Sequence, residues 1–175
     1  MDIPFLRGPS ASGLLYISTA DELRAYSDAD FAGDVDTRRS TNGFVTLING
    51  TAVSWTSQLQ KYVALSTTEA EFVAASEGAK ELVWLTRLLS EIGKRDETPT
   101  LFVDNASAIK LVKNPEFHKR SKHIAVRYYF VRELYQKGDI DLDFVRSEDQ
   151  LKDMFSKALN SVKFKTMCYK IGLCE

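Results

Sequence analysis

Asn49-Gly50 stands between two alternating segments, GFVTLING and TAVSWTSQ. A two-residue type I′ turn needs positive φ at both central positions, and Asn-Gly satisfies that better than almost any other pair. The two segments are therefore expected to pair as an antiparallel hairpin. A third strand precedes them from Leu23 to Phe31, joined to the hairpin by the polar turn DVDTRRSTN. Directly after the hairpin the apolar period changes from two to 3.6. STTEAEFVAASEGAKELVWLTRLLSEIG places Phe72, Ala75, Ala79, Leu82, Val83 and Leu89 on one helical face. Ser66, Thr67 or Thr68 can cap this helix, and Gly93 ends it. Three strands followed by one long helix restrict the chain to a mixed α/β architecture.

The remainder keeps to that class. PTLFVD is a short, nearly unbroken apolar strand, as expected of one covered on both faces. NASAIKLVKN follows as a short helix with Asn105 or Ser107 as N-cap and Pro115 beyond its end. EFHKRSKH is a basic connection, HIAVRYYFVRELYQKG a second amphipathic helix stopped by Gly138, and DIDLDFV a strand with one wet face. SEDQLKDMFSKAL and SVKFKTMCYKIGL close the chain as helices. The order is β-β-β-α-β-α-α-β-α-α. No repeat or linker divides it, so one domain is expected. Residues 1–20 are weakly organised, with LLYIS as a short strand after the Pro- and Gly-rich LRGPSASG.

Bulk composition excludes more than it selects. The 175 residues are 44% hydrophobic and 27% charged, with a net charge of −1. No general basic field exists, so a nucleic-acid partner would have to be met by a local patch. Cys168 and Cys174 lack zinc-like companions and are expected to be reduced thiols in a cytosolic setting. No apolar run reaches the roughly 20 residues that a membrane span requires.

Four acids, Asp28, Glu71, Asp104 and Asp153, are candidates for one divalent-metal site. Asp28 and Asp104 close strand-like runs, Glu71 lies early in the long helix, and Asp153 sits in QLKDMF. Any single acid is ordinarily a solvated surface residue. Asp30 and Asp34 compete with Asp28, and strand alternation puts Asp28 and Asp30 on one face. Glu69 competes with Glu71, which shares a stripe with Ala75, Leu82 and Leu89. Asp149 lies one helical turn from Asp153. Asp104 stands out, because an acid ending a buried strand before a helix has few structural reasons to be there.

YSDADFAGDVDTRRSTNGFV, VALSTTEAEFVAA, LFVDNASAI, KRSKHIAVRYYFVRE and SEDQLKDMFSKAL occur in an order that resembles the ribonuclease H domain of copia-type retrotransposon polyproteins. The resemblance runs from about Leu6 to about Leu173. It implies a ribonuclease H-like α/β fold: a five-stranded mixed sheet with its first three strands antiparallel, flanked by helices, with an extra C-terminal helix. It implies that residues 1–20 are a remnant of the connection to reverse transcriptase and 21–175 the ribonuclease H domain. It also selects among the acids. The family's first aspartate, following a tyrosine and a serine or threonine, falls on Asp28. Its helical glutamate, before an apolar pair and two alanines, falls on Glu71, and its later aspartates fall on Asp104 and Asp153. Related copia-type sequences commonly read KHIDVRYHF where this chain has Ala125 and Tyr129, a departure that touches none of the four acids.

The implied activity is metal-dependent cleavage of the RNA strand of RNA–DNA hybrids during reverse transcription. Four carboxylates suit two Mg²⁺ ions, with Mn²⁺ as a substitute, since hard cations prefer oxygen ligands. Carboxylates this crowded repel one another, so metal is expected to order the site as well as serve the chemistry. The implied partners are the hybrid and the reverse transcriptase domain of the same polyprotein, with no membrane. The implied location is intracellular, within a virus-like particle in an intact element. Candidate nucleic-acid contacts are the turn Arg38, Arg39, Ser40, Thr41 and Asn42, the helix start at Asn105 and Ser107, and the basic stretch Lys119, Arg120, Lys122 and His123. Trp55 and Trp84 are expected to serve core or interface packing rather than base stacking. The loop before Asp153 lacks the histidine that many cellular ribonucleases H carry there. The alternative is a catalytically silent nucleic-acid-binding or interaction module from a decayed or domesticated element. A DNA nuclease of integrase-like or resolvase-like type fits the STTEAE phrase less well.

Overall fold

A computed structural model of the protein describes residues 13–16, 22–93, 97–114, 122–146, 150–151, 153–156 and 159–174. For 122–124, 153, 156 and 174 the description covers the backbone alone. The hairpin forms as the sequence predicts. β3 (Thr41–Ile48) and β4 (Thr51–Leu59) pair antiparallel, and Asn49 and Gly50 between them take φ of 53° and 79°. The turn is anchored to the start of β2 (Leu23–Asp30): Glu22 N–H donates to Asn49 Oδ1 at 3.1 Å, and Asn49 N–H to Glu22 C=O at 3.0 Å. β2 pairs antiparallel with β3, which completes the antiparallel trio.

α1 (Thr67–Glu91) then carries the chain across the sheet, as a parallel partner for β2 requires. β5 (Thr100–Val103) pairs parallel with β2, and β6 (Asp141–Phe144) pairs parallel with β5 after α2 (Ala106–Lys113) and α3 (Lys122–Lys137). The resulting sheet has the order β4-β3-β2-β5-β6. Leu23 and Ala25 of β2, Leu101 and Val103 of β5 and Leu142 of β6 face Phe72, Ala75, Ala79 and Leu82 of α1, and Val131 and Leu134 of α3 complete that core. Gly78 lets α1 lie close on the sheet: a Cβ there would stand 3.2 Å from Leu101 Cδ1 and 3.4 Å from Ser27 Cβ.

The opposite face is covered by the C-terminal segment. Leu151 and Ile171 are buried against Val45, Leu47 and Ala52, with Tyr26, Met154 and Phe155 packed beside them. Met154 and Phe155 belong to the short α4 (Asp153–Ser156), so α1 and α4 sit on opposite faces of the sheet. The end of the chain differs from its sequence reading. SVKFKTMCYKIGL is not one helix to its end. α5 (Ser161–Lys170) stops before Gly172, which turns to φ 82°, and β7 (Leu173–Cys174) pairs antiparallel with β1 (Gly13–Leu14). A side chain at Gly172 would press on Thr51 at 2.9 Å. Thr51 Oγ1 also donates to Leu15 C=O at 2.7 Å, and Ala52 N–H to Ile171 C=O at 2.9 Å. No helix among the described residues is long and apolar enough to cross a membrane.

Candidate active site

The parallel ladder between β2 and β5 ends at the pair Ser27–Val103. The next residue on each strand is an acid, Asp28 and Asp104, so both carboxylates arise where the two strands stop pairing. Glu71, in the first turns of α1, reaches the same place. Its Oε1 accepts the Ala29 backbone N–H at 3.3 Å. One carboxylate oxygen from each of Asp28, Glu71 and Asp104 lies within 4.8 Å of the others. Asp28 is 2% and Glu71 6% exposed, and Asp104 is half-buried. If all three are ionised, each pair costs roughly 3 kcal/mol or more at an effective dielectric near 20. A hard divalent cation would relieve that repulsion and accept oxygen donors of this kind. The donor set fits such an ion.

Glu69 and Asp34, two of the competing acids, are engaged elsewhere. Glu69 is 1% exposed, and its Oε2 accepts Leu65 N–H at 2.7 Å while Ser66 Oγ accepts Glu69 N–H at 3.2 Å. Ser66 thus caps α1, and the Glu69 carboxylate holds the backbone N–H one residue before that cap. Asp34 Oδ1 accepts Asp36 N–H at 3.0 Å and Thr37 N–H at 2.7 Å. The Thr37 backbone hydrogen bond holds the Asp34 carboxyl below the usual range. Asp30 is half-buried and folds back over the turn, where a Cβ on Gly33 would overlap its carboxylate. Asp149 lies outside the described residues, and Asp153 is the first residue of α4, its side chain outside them.

Among the candidate nucleic-acid contacts, Arg38 is exposed at φ 57° and Arg39 half-buried with Nε on Thr37 Oγ1 at 3.1 Å. Thr41 is half-buried. Ser40 and Asn42 point inward: Ser40 Oγ accepts Ala32 N–H at 3.1 Å, and Asn42 Oδ1 accepts Gln60 Nε2 at 2.5 Å. Gln60 Nε2 also donates to Ala70 C=O at 3.1 Å, tying β3 to the residue before Glu71. Asn105 caps α2, its Oδ1 accepting Ser107 and Ala108 N–H, and Ser107 is exposed beside it. The positive end of the α2 dipole thus lies next to Asp104. Lys119, Arg120 and His118 fall outside the described residues, as do the side chains of Lys122 and His123. Trp55 and Trp84 are each 56% exposed and so lie outside the core.

Two further residues escaped the sequence reading. Gln60 is one, and Gln150, fully buried with Nε2 donating to Ser27 C=O at 3.2 Å, is the other. Their only sequence signal is a glutamine at an apolar boundary, which a surface glutamine shares.

Comparison with known proteins agrees with this fold. The N-terminal ribonuclease H domain of rv2228c from Mycobacterium tuberculosis matches over 86% of this chain and 98% of that one, with a TM-score of 0.58 and 11% identity. LC11-RNase H1, solved in complex with an RNA/DNA hybrid, matches over 74% and 88%, with a TM-score of 0.57 and 10% identity. A five-stranded mixed sheet in this order, flanked by helices, is the ribonuclease H-like fold. In sequence the chain is 40% identical over 169 residues to the retrovirus-related Pol polyprotein from transposon TNT 1-94 of Nicotiana tabacum, an alignment covering 97% of this chain. It spans 13% of that polyprotein's length. No protein-family model matches the sequence. The chain belongs with the ribonuclease H domains of copia-type retrotransposon Pol polyproteins.

Proposed function

We propose that this chain is a metal-dependent endoribonuclease that cuts the RNA strand of RNA–DNA hybrids, leaving 3′-hydroxyl and 5′-phosphate ends. The observation that carries the reading is the meeting of Asp28, Glu71 and Asp104 at the ends of β2 and β5 in a ribonuclease H-like fold. Asp28, Glu71 and Asp104, joined by Asp153 from α4, would hold two Mg²⁺ ions, with Mn²⁺ as a substitute. Bound there, divalent ions supply an activated water and charge stabilisation for the leaving oxygen. Glu71 holds one oxygen on the Ala29 N–H, which fixes its carboxylate beside Asp28. The exposed Arg38, with Arg39, Thr41, Asn105, Ser107 and the basic stretch Lys119, Arg120, Lys122 and His123, would line the path of the hybrid. Ser40 and Asn42 contribute by shaping the turn from within. Discrimination between strands would rest on 2′-hydroxyl contacts. In the intact polyprotein the domain would remove template RNA behind the reverse transcriptase, inside an intracellular virus-like particle.

Labelled RNA–DNA hybrid, duplex DNA and duplex RNA, each incubated with and without Mg²⁺, test the reading. Cleavage of the hybrid's RNA strand alone, dependent on Mg²⁺, is expected. Cleavage of duplex DNA would replace it with a DNA nuclease. Hybrid binding with no cleavage would select the silent binding module.

A further inference from the structure

We infer that Gln150 is a positioning residue for this site, fixing α4 and thereby Asp153 to the last rung of the β2–β5 ladder. The inference rests on the nuclease reading and names a part of the machinery that reading does not contain. Gln150 is 0% exposed, and its Nε2 donates to the carbonyl of Ser27 across 123 residues of sequence. Ser27 belongs to the final parallel pair, and Asp28 follows it directly. Gln150 therefore grips the backbone immediately beneath the first carboxylate, three positions before the residue expected to supply the fourth.

Chemistry makes a glutamine conspicuous here. Leu151, its neighbour, is buried at 5% exposure among Val45, Leu47, Ala52 and Ile171, and Met154 and Phe155 pack on the same cluster. These apolar contacts hold α4 against the sheet without specifying its height along the strands, because dispersion and burial are not directional. One buried amide on a named carbonyl does specify it. Gln150 Oε1 is buried with no hydrogen-bond partner among the described residues. A buried acceptor left unmade is costly, so an apolar residue of the same shape would serve packing better. The amide is explained by what it locates. Beyond Ser27 the parallel ladder with β5 stops, while β2 stays paired with β3 as far as Asp30.

The test is calorimetric titration of Mn²⁺ into the chain, which needs no turnover, read beside thermal melting and hybrid cleavage. Gln150→Met keeps length and volume and removes the donor. It is expected to weaken Mn²⁺ binding about tenfold while the protein still melts cooperatively. Asp153→Asn should weaken it at least as much. The double variant should bind no worse than Asp153→Asn alone, since residues acting through one another are not additive. Gln150→Asn, which keeps the amide but is one methylene too short, should repeat the Gln150→Met result and decides the matter if that variant fails to fold. Unchanged Mn²⁺ affinity in the folded variants, or losses that add on the Asp153→Asn background, would overturn the inference. Absence of Mn²⁺ binding by the wild type would overturn it too. Wild-type metal binding without hybrid cleavage would instead defeat the nuclease reading and leave Gln150 in place.

Discussion

Glu71 Oε1 accepts the backbone N–H of Ala29 at 3.3 Å, so the glutamate on α1 is hydrogen-bonded to the strand residue that follows Asp28. The bond joins the long helix to the end of the central strand, and it separates two roles of one side chain. Glu71→Gln keeps a carbonyl for the Ala29 N–H and removes the charge. It is expected to fold within about 1 kcal/mol of the wild type yet lose metal binding. Glu71→Ala strands a buried N–H and should cost a further 1–3 kcal/mol or so. Urea melts of both variants, read beside Mn²⁺ titrations, check the separation.

Asp104→Asn changes one oxygen donor for an amide at the end of β5. Hybrid cleavage in Mg²⁺ is expected to fall by about 100-fold or more, since even residues behind metal ligands cost 10–100-fold. The circular dichroism spectrum should not change. Wild-type turnover in this variant would reject the assignment.

Ser66 and Glu69 predict the opposite pattern. Ser66 Oγ holds Glu69 N–H and the Glu69 carboxylate holds Leu65 N–H at the start of α1, so Ser66→Ala or Glu69→Ala should lower stability by about 0.5–2 kcal/mol. At a temperature where the variants stay folded, Mg²⁺-dependent cleavage should survive. A Glu69→Ala variant that is stable but inactive would exchange the roles of the two glutamates.

Tyr26 supplies a pH dependence. Burial pushes its phenol above the ordinary tyrosine value, with the Arg24 guanidinium opposing, and its ring stacks on Phe102 at 4.9 Å. The folded state therefore holds the phenol proton more tightly than the unfolded chain. The stability this gives is intact below pH of about 10 and is lost as pH rises through the raised folded value. Ultraviolet titration should show a late-ionising tyrosine that vanishes in Tyr26→Phe, and the variant's alkaline unfolding should be less steep.

The legible parts of this molecule were those set by neighbours in sequence. Asn49-Gly50 declared the hairpin because its backbone demands are met within two residues. Asp104 was legible because a buried strand ended on it. The choice between Glu69 and Glu71 depended on which side of α1 meets the end of β2, a tertiary relation that the helical pattern does not contain. Resemblance to known sequences had to supply it. Gln60 and Gln150 were invisible because a glutamine reads alike on a surface or in a core. β7 is two residues long, and its partner β1 lies at the other end of the chain. Trp55 and Trp84, expected to pack in the core or at an interface, are more than half exposed, which excludes the core.

The place of β2 at the centre of the sheet also sets an order of assembly. Its antiparallel neighbour β3 follows it closely in the chain, so that pairing closes only a short loop and is favoured early. Its parallel neighbour β5 must wait for α1, and the clasp on Ser27 arrives 123 residues downstream. During synthesis the β2–β3 pair can thus form well before Gln150 has been added. On the four-carboxylate site proposed above, a nascent domain would lack its full ion-binding capacity until Asp153 has been added.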